Sequence, residues 1–251
     1  MPHSPQRVVA RRGFLSFAGR AAGGLVAALT AGTPAEALAD LLATPSVAEG
    51  PFYPDRLPLD TDNDLLVVNE RTAPALGEVT HLTGRVLSRV GEPIRNAVVE
   101  IWQCDKQGSY LHSRGASRAG RDAGFQGYGR FLTDSSGAYY FRTIRPVAYG
   151  SRTPHIHMAV SRNGRRVLTT QLFVEGEPRN ASDFLYRRVG DDAAKRLVTT
   201  SFTPIADASI ADDPIPQHEA RFDLVLGATP AEGDDGQFPG VLGAPRGGRR
   251  G

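Results

Sequence analysis

The chain has 251 residues, 40% of them apolar and 22% charged, an ordinary balance for a soluble globular protein that excludes wholesale disorder and a multi-pass membrane protein. Its 29 Lys and Arg against 27 Asp and Glu give a net charge of +2, and four of the arginines (Arg7, Arg11, Arg12, Arg20) fall in the first 39 residues against Glu36 alone. Beyond that segment the chain is close to neutral, which leaves no electrostatic footprint for nucleic acid.

The elements follow in chain order. Arg11-Arg12-Gly13-Phe14-Leu15 precede a mildly apolar run from Ala21 to Ala31, and Ala37-Leu38-Ala39 has the small-x-small form of a cleavage site. That run is shorter than the ~20 residues a bilayer span needs, so no membrane span is expected. The pattern resembles a twin-arginine export signal, and residues 1–39 are expected to direct the chain to the periplasm or outside the cell. Export of an already folded chain suits the single Cys104, which cannot form an internal disulfide.

From Val79 the pattern becomes alternation through Leu82, Gly84, Val86 and Ser88, ending at the turn signal Val90-Gly91-Glu92-Pro93. Ala97 to Cys104, rich in β-branched and aromatic residues, is the strongest strand signal. Further strands are expected at Ala138–Thr143, His155–Ser161, Val167–Val174 and Ala220–Leu226, with Asp134-Ser135-Ser136-Gly137 as a turn. Short helices are expected near Ala181–Arg187 and Asp191–Arg196. From Ala228 onward Gly, Pro and Arg without apolar periodicity predict a disordered tail over 228–251. The expectation is an all-β, antiparallel β-sandwich domain over 40–227 with short helices and long loops.

The segment Tyr149-Gly150-Ser151-Arg152-Thr153-Pro154-His155-Ile156-His157 carries the sharpest chemistry. On a strand, residues two apart face one side, so His155 and His157 can present both imidazoles to one centre while Ile156 turns away. Alone, an H-x-H is weak evidence for a metal site, and a pair of satisfied surface histidines is the alternative. Cys104, with no partner cysteine, reads as a small buried hydrophobe. His81, His112 and His218 have no partner at ligand spacing.

Four motifs in order resemble the intradiol ring-cleavage dioxygenases: Glu49-Gly50-Pro51-Phe52-Tyr53-Pro54, Trp102 to Tyr110, Thr133 to Ile144, and Tyr149 to His157. The resemblance spans roughly Glu49 to Gly176. It implies a non-haem ferric ion, Fe(III), held by Tyr110, Tyr149, His155 and His157. Phenolate oxygens suit a hard, highly charged cation, and coordination must strip a proton that a phenol normally loses near pH 10. The resemblance also implies that Arg152 stabilises an electron-rich ring, with a surface arginine as the alternative. It gives Gln171 contact with the substrate or oxygen, with a solvent-facing strand glutamine as the alternative. Pro51 and Tyr53 would line the mouth of the site, or form a purely structural turn. The implied reaction opens a catechol between its hydroxyl-bearing carbons with O2 to give a cis,cis-muconate. Tyr149 would leave the metal as substrate arrives, and Tyr110, His155 and His157 would stay bound.

The connection from Tyr149 to His155 is short, and Ser151 stands where the protocatechuate group has Trp, which leaves the catechol and any homo-oligomer open. The phrases Gly84–Trp102 and Thr133–Phe141 also resemble transthyretin-like sandwiches. The alternative is therefore a catalytically silent exported module that binds a partner or carbohydrate.

Overall fold

The period-two patterning is realised in two sheets that share one apolar core. The computed structural model describes residues 40–68, 75–115, 120–206 and 215–227; the expected leader and tail lie outside the described residues. The first sheet is built on β1 (Val79–Ser88), which pairs antiparallel with β4 (Ala138–Ile144) along one edge. Along its other edge β1 runs parallel to β9 (Gln217–Arg221) and then to β10 (Leu224–Leu226). The short β8 (Thr203–Pro204) pairs with β9. The second sheet has the order β3 (Tyr128–Leu132), β2 (Val98–Trp102), β5 (His155–Arg162), β6 (Arg165–Val174), β7 (Thr199–Thr200).

Leu82, Val86 and Phe141 of the first sheet and Ile101, Ile156, Met158 and Leu172 of the second are all fully buried in one cluster. Each such side chain contributes about 1.5–3 kcal/mol on leaving water. Along β5, Ile156, Met158 and Val160 enter this core, so alternation turns His155 and His157 to the opposite face. The two histidines are nevertheless only 1% exposed, because loops cover that outer face. β5 and β6 are joined at Asn163-Gly164, where both residues have positive φ (52° and 75°), the backbone of a two-residue hairpin turn.

The expected all-β sandwich is observed, with parallel pairs beside its antiparallel ones, β1 with β9 and β10 and β6 with β7. Two expectations are corrected. The single strand expected over Ala220–Leu226 is two, because the chain breaks at Phe222-Asp223. There the Phe222 N–H donates to Thr83 O and Asp223 Oδ1 accepts the Arg85 N–H, shifting the chain along β1. The helix expected from Ala181 is a 3-10 turn (Pro178–Ala181) followed by α1 (Phe184–Arg187), because Asp183 is an N-cap whose Oδ1 accepts from Leu185 N and Tyr186 N. α2 (Asp192–Arg196) begins after its cap Asp191, as the sequence indicates. β3 escaped notice because Gly124, Gly127 and Gly129 read as loop. Gly129 is required there, since a Cβ would stand 2.6 Å from the Asp62 carbonyl oxygen crossing it. Among the described residues no helix is long and apolar enough to cross a membrane.

Candidate metal centre

The outer face of the second sheet carries a row of three polar or aromatic side chains. Trp102 on β2 and Gln171 on β6 are the cross-strand partners of His157 on β5. Two loops bring the tyrosines to this row. In the loop after β2, Asp105 Oδ1 accepts the N–H groups of Gln107 and Ser109, both at 2.9 Å, and fixes the turn that delivers Tyr110. Gly108 has φ +82°, and a Cβ there would lie 3.1 Å from Tyr149 Cβ, so only glycine lets the two loops meet. Tyr149 and Arg152 are the ends of a tight turn closed by Arg152 N–H to Tyr149 O at 2.9 Å.

Three donor atoms converge. Tyr110 Oη is 3.1 Å from His157 Nε2 and 3.5 Å from His155 Nε2, and the two Nε2 atoms are 3.1 Å apart. Tyr149 adjoins the group, its ring edge-on to Tyr110 with centroids 5.1 Å apart and tilted against His155 at 5.6 Å. His155 Nδ1 donates to the Thr153 carbonyl at 2.6 Å, which leaves Nε2 as a bare lone pair. Burial, and then the Arg152 charge, lower the His155 pKa to about 3. Burial followed by His155 and Arg152 hold His157 well below its ordinary value, so both imidazoles are neutral. Burial raises the Tyr110 phenol well above 10 with Tyr149 adding to the effect, and burial raises Tyr149 as well.

This donor set fits a cation. His155 Nε2 is a lone pair, and with the His157 proton on its buried, unpartnered Nδ1 the facing Nε2 is another, 3.1 Å away. An ion between the two Nε2 atoms and Tyr110 Oη turns that repulsion into bonds, while Nδ1 keeps its proton. Separations of 3.1–3.5 Å are those of nitrogen and oxygen donors bonded at roughly 2.0–2.2 Å to one metal. The phenols, neutral by burial, ionise only if a cation supplies the opposing charge. Among the described residues no three His, Cys, Asp or Glu side chains gather to share an ion, so the site is not of the two-His-one-carboxylate kind.

Around the donors the expected residues divide. Arg152 is buried, as a site residue should be: its Nε donates to Asp183 Oδ2 at 2.8 Å and its Nη2 to Gln171 Oε1 at 2.6 Å. Gln171 is fully buried, and its Nε2 donates to the Ala48 carbonyl at 2.7 Å. Both ends of its amide are thus engaged, and it braces Arg152. The Tyr53 hydroxyl donates to Glu100 Oε1 at 2.8 Å and its ring meets Trp102 edge-on. Pro51 is exposed on the turn, and the residue between them, Phe52, packs on the centre, stacked on Tyr110 with centroids 4.9 Å apart. An open cleft of about 730 Å³, lined by Asp55, Arg56, His112 and Ser113, reaches Tyr110. Cys104 is buried with its thiol raised to about 12 by burial and then by Asp105, and it is inert.

Sequence reasoning missed Asp183 and Glu100. Asp183 precedes a short apolar stretch, the position of an N-cap, but placing the helix start at Ala181 hid it. Glu100 is a carboxylate inside an apolar strand, which by itself signals a buried partner. It accepts from Tyr53, from Tyr128 at 2.6 Å and from Arg166 at 3.0 Å, and Arg166 also pairs with Glu49.

A family model described as Dioxygenase matches residues 48–228. The protocatechuate 3,4-dioxygenase beta chain of Burkholderia cepacia is 37% identical over 147 residues, covering 55% of this chain and 62% of the relative. Catechol 1,2-dioxygenase of Acinetobacter baylyi is 33% identical over 162 residues, covering 57% of this chain and 50% of the relative. The chain thus spans between half and two thirds of the length of these curated relatives. Among solved structures, the dioxygenase domain of a dioxygenase carbohydrate-binding protein fusion from Streptomyces sp. SirexAA-E superposes with a TM-score of 0.53 at 29% identity, over 73% of this chain and 97% of that one.

Proposed function

The chain belongs to the intradiol ring-cleavage dioxygenase family, and from that premise we propose that it opens a catechol-type ring between its hydroxyl-bearing carbons with O2 to give a cis,cis-muconate. One catechol and one O2 give one muconic acid: the ring C–C bond breaks, both oxygen atoms are retained, and two protons leave as the carboxyl groups ionise. The observation that carries this reading is the convergence of the Tyr110 phenol and two neutral imidazoles within 3.5 Å of one another, with the Tyr149 ring packed beside them. Tyr110, Tyr149, His155 and His157 would hold a non-haem ferric ion, Fe(III). When bound, that ion supplies Lewis acidity and the positive charge against which the phenols and a chelating catechol ionise.

The chain's own groups divide the remaining work. Tyr149, half-buried at the end of its turn, is placed to swing away, and its oxygen accepts one proton of the incoming catechol. Tyr110, His155 and His157 are almost wholly buried and stay in position. The Arg152 guanidinium offsets negative charge on the ionised ring, and a buried, pre-oriented cation does so at little reorganisation cost. Phe52 covers Tyr110 and excludes water from its phenolate. The cleft reaching Tyr110 supplies an approach for the substrate. Residues 1–39 are proposed as the export leader, placing the activity outside the cytoplasm.

The test is oxygen uptake by the iron-loaded chain on a panel of catechol, protocatechuate, hydroxyquinol and 4-chlorocatechol, alongside its visible spectrum. A ferric tyrosinate colour and ultraviolet absorption of a muconate from at least one substrate are expected. His157→Ala should lose both while its far-ultraviolet circular dichroism stays that of a folded sandwich. A colourless, iron-loaded wild type inert on the whole panel would overturn the reading in favour of a silent binding module.

A further inference from the structure

Asp183 is fully buried, and the reaction above makes no use of it. Its four short contacts point in two directions. Oδ1 accepts the N–H groups of Leu185 and Tyr186, both at 3.0 Å, and caps α1. Oδ2 turns away from the helix and accepts Arg152 Nε at 2.8 Å and the Thr153 N–H at 2.9 Å. A one-turn helix needs only an acceptor at its N-cap, which Ser or Asn supplies equally well. The second, charged oxygen serves something else.

Both groups gripped by Oδ2 lead to the metal centre. Arg152, held at Nε, extends Nη2 at 2.6 Å to Gln171, the cross-strand partner of His157, and its backbone N–H closes the turn onto Tyr149 O at 2.9 Å. Thr153, held at its N–H, turns its carbonyl to His155 Nδ1 at 2.6 Å. The Thr153 hydroxyl donates to Asn180 Oδ1 at 2.8 Å, and Asn180 Nδ2 donates to Val174 O at 2.8 Å, so the side chain of this residue is tied to the 3-10 turn as well. We propose that Asp183 is a positioning residue of the metal centre: one carboxylate oxygen sets both the direction of Arg152 towards Gln171, beside His157, and the Thr153 carbonyl that fixes the Nδ1–H tautomer of His155. Its effect on turnover rests on the reaction proposed above, whereas its effect on Arg152 and His155 in the metal-free chain does not.

Asp183→Ser separates the two tasks, because a serine hydroxyl caps the helix but is too short to reach Arg152. In the full-length metal-free protein, nitrogen-15 NMR reads the His155 tautomer and the solvent exchange of Arg152 Nε–H. The variant should exchange that proton at least ~10-fold faster and show His155 as a mixture of tautomers. Loaded with iron, it should release the metal to a chelator faster and lose kcat with catechol, each by about 10–100-fold, with KM changed less. Asp183→Asn, isosteric and uncharged, carries the same measurements if the serine variant does not fold. A folded variant that keeps the wild-type Arg152 protection and His155 tautomer would overturn the proposal. If these signals change while the wild type takes up no oxygen, the positioning role stands and the reaction falls.

Discussion

The indole of Trp102 lies flat against the imidazole of His157, with ring centroids 5.0 Å apart and planes within 8° of parallel. The two residues are directly opposed on β2 and β5, and Tyr53 supports the indole edge-on from behind at 5.0 Å. A proposed metal ligand is thus held by a fully buried ring.

Trp102→Ala should therefore cost about 3–5 kcal/mol of stability, as loss of a large buried ring does. It should also weaken iron retention by freeing the His157 ring. Trp102→Phe keeps a stacking surface and should retain more of both. Urea unfolding and competition with an iron chelator measure the two effects side by side.

The two tyrosines should differ. Tyr149→Phe removes the more exposed donor and the proton acceptor, so iron should still bind, while catechol association and deprotonation slow by about 10²–10⁴-fold. Tyr110→Phe removes a buried phenolate and should lower iron retention and favour the ferrous state. In an anaerobic catechol titration the wild type should lose one tyrosinate band, and Tyr149→Phe should lack that change from the start. Loss of the substrate-sensitive band in the Tyr110 variant instead would exchange the two roles.

Glu100→Ala should destabilise the fold by about 3–5 kcal/mol, because it leaves the partly buried Arg166 with the more exposed Glu49 and strips the Tyr53 and Tyr128 hydroxyls of their acceptor. Glu100→Gln keeps an acceptor for the hydroxyls and loses only the charge pairing, so its cost should be smaller. Chemical denaturation of both variants checks the order.

Cys104, with its thiol raised to about 12 by burial and then by Asp105, should resist iodoacetamide at pH 8 in the native protein and react once unfolded. The sign of its linkage follows. Above the ordinary thiol pKa of about 8.5 the unfolded chain gives up the proton and the folded chain keeps it, so stability falls as pH rises from there towards 12. Thermal unfolding from pH 7 to 11 should show that loss, and Cys104→Ala should show less of it.

Changing Arg11 and Arg12 together to Lys should strand the precursor inside the cell if residues 1–39 are a twin-arginine leader. Fractionation and blotting of periplasm, medium and cytoplasm reads the outcome, and unaltered export would reject the leader.

Alternation in β1, β4, β5 and β6 was legible because a strand with one face in an apolar core must repeat every two residues. The same rule placed Ile156 in the core and His155 and His157 on the other face. What alternation could not show was the partner of each edge. The parallel pairing of β9 and β10 with β1 depends on which segment packs across an edge, and β3 depends on Asp62 running over Gly129.

By itself the sequence, through its resemblance to a known family, pointed to two tyrosines and an H-x-H as candidate donors, on segments whose local structure follows from short-range patterning. Only the tertiary structure decided what stands behind them. Gln171 turned out to brace Arg152, Tyr53 to feed Glu100, Phe52 to cover Tyr110, and Asp183 to join Arg152 and Thr153 through one oxygen. These contacts link residues some 20 to 60 positions apart, and a buried polar atom takes whichever partner packing brings within about 3 Å. Spacing along the chain carries no record of that choice, because it is made by the loops that close over the sheet.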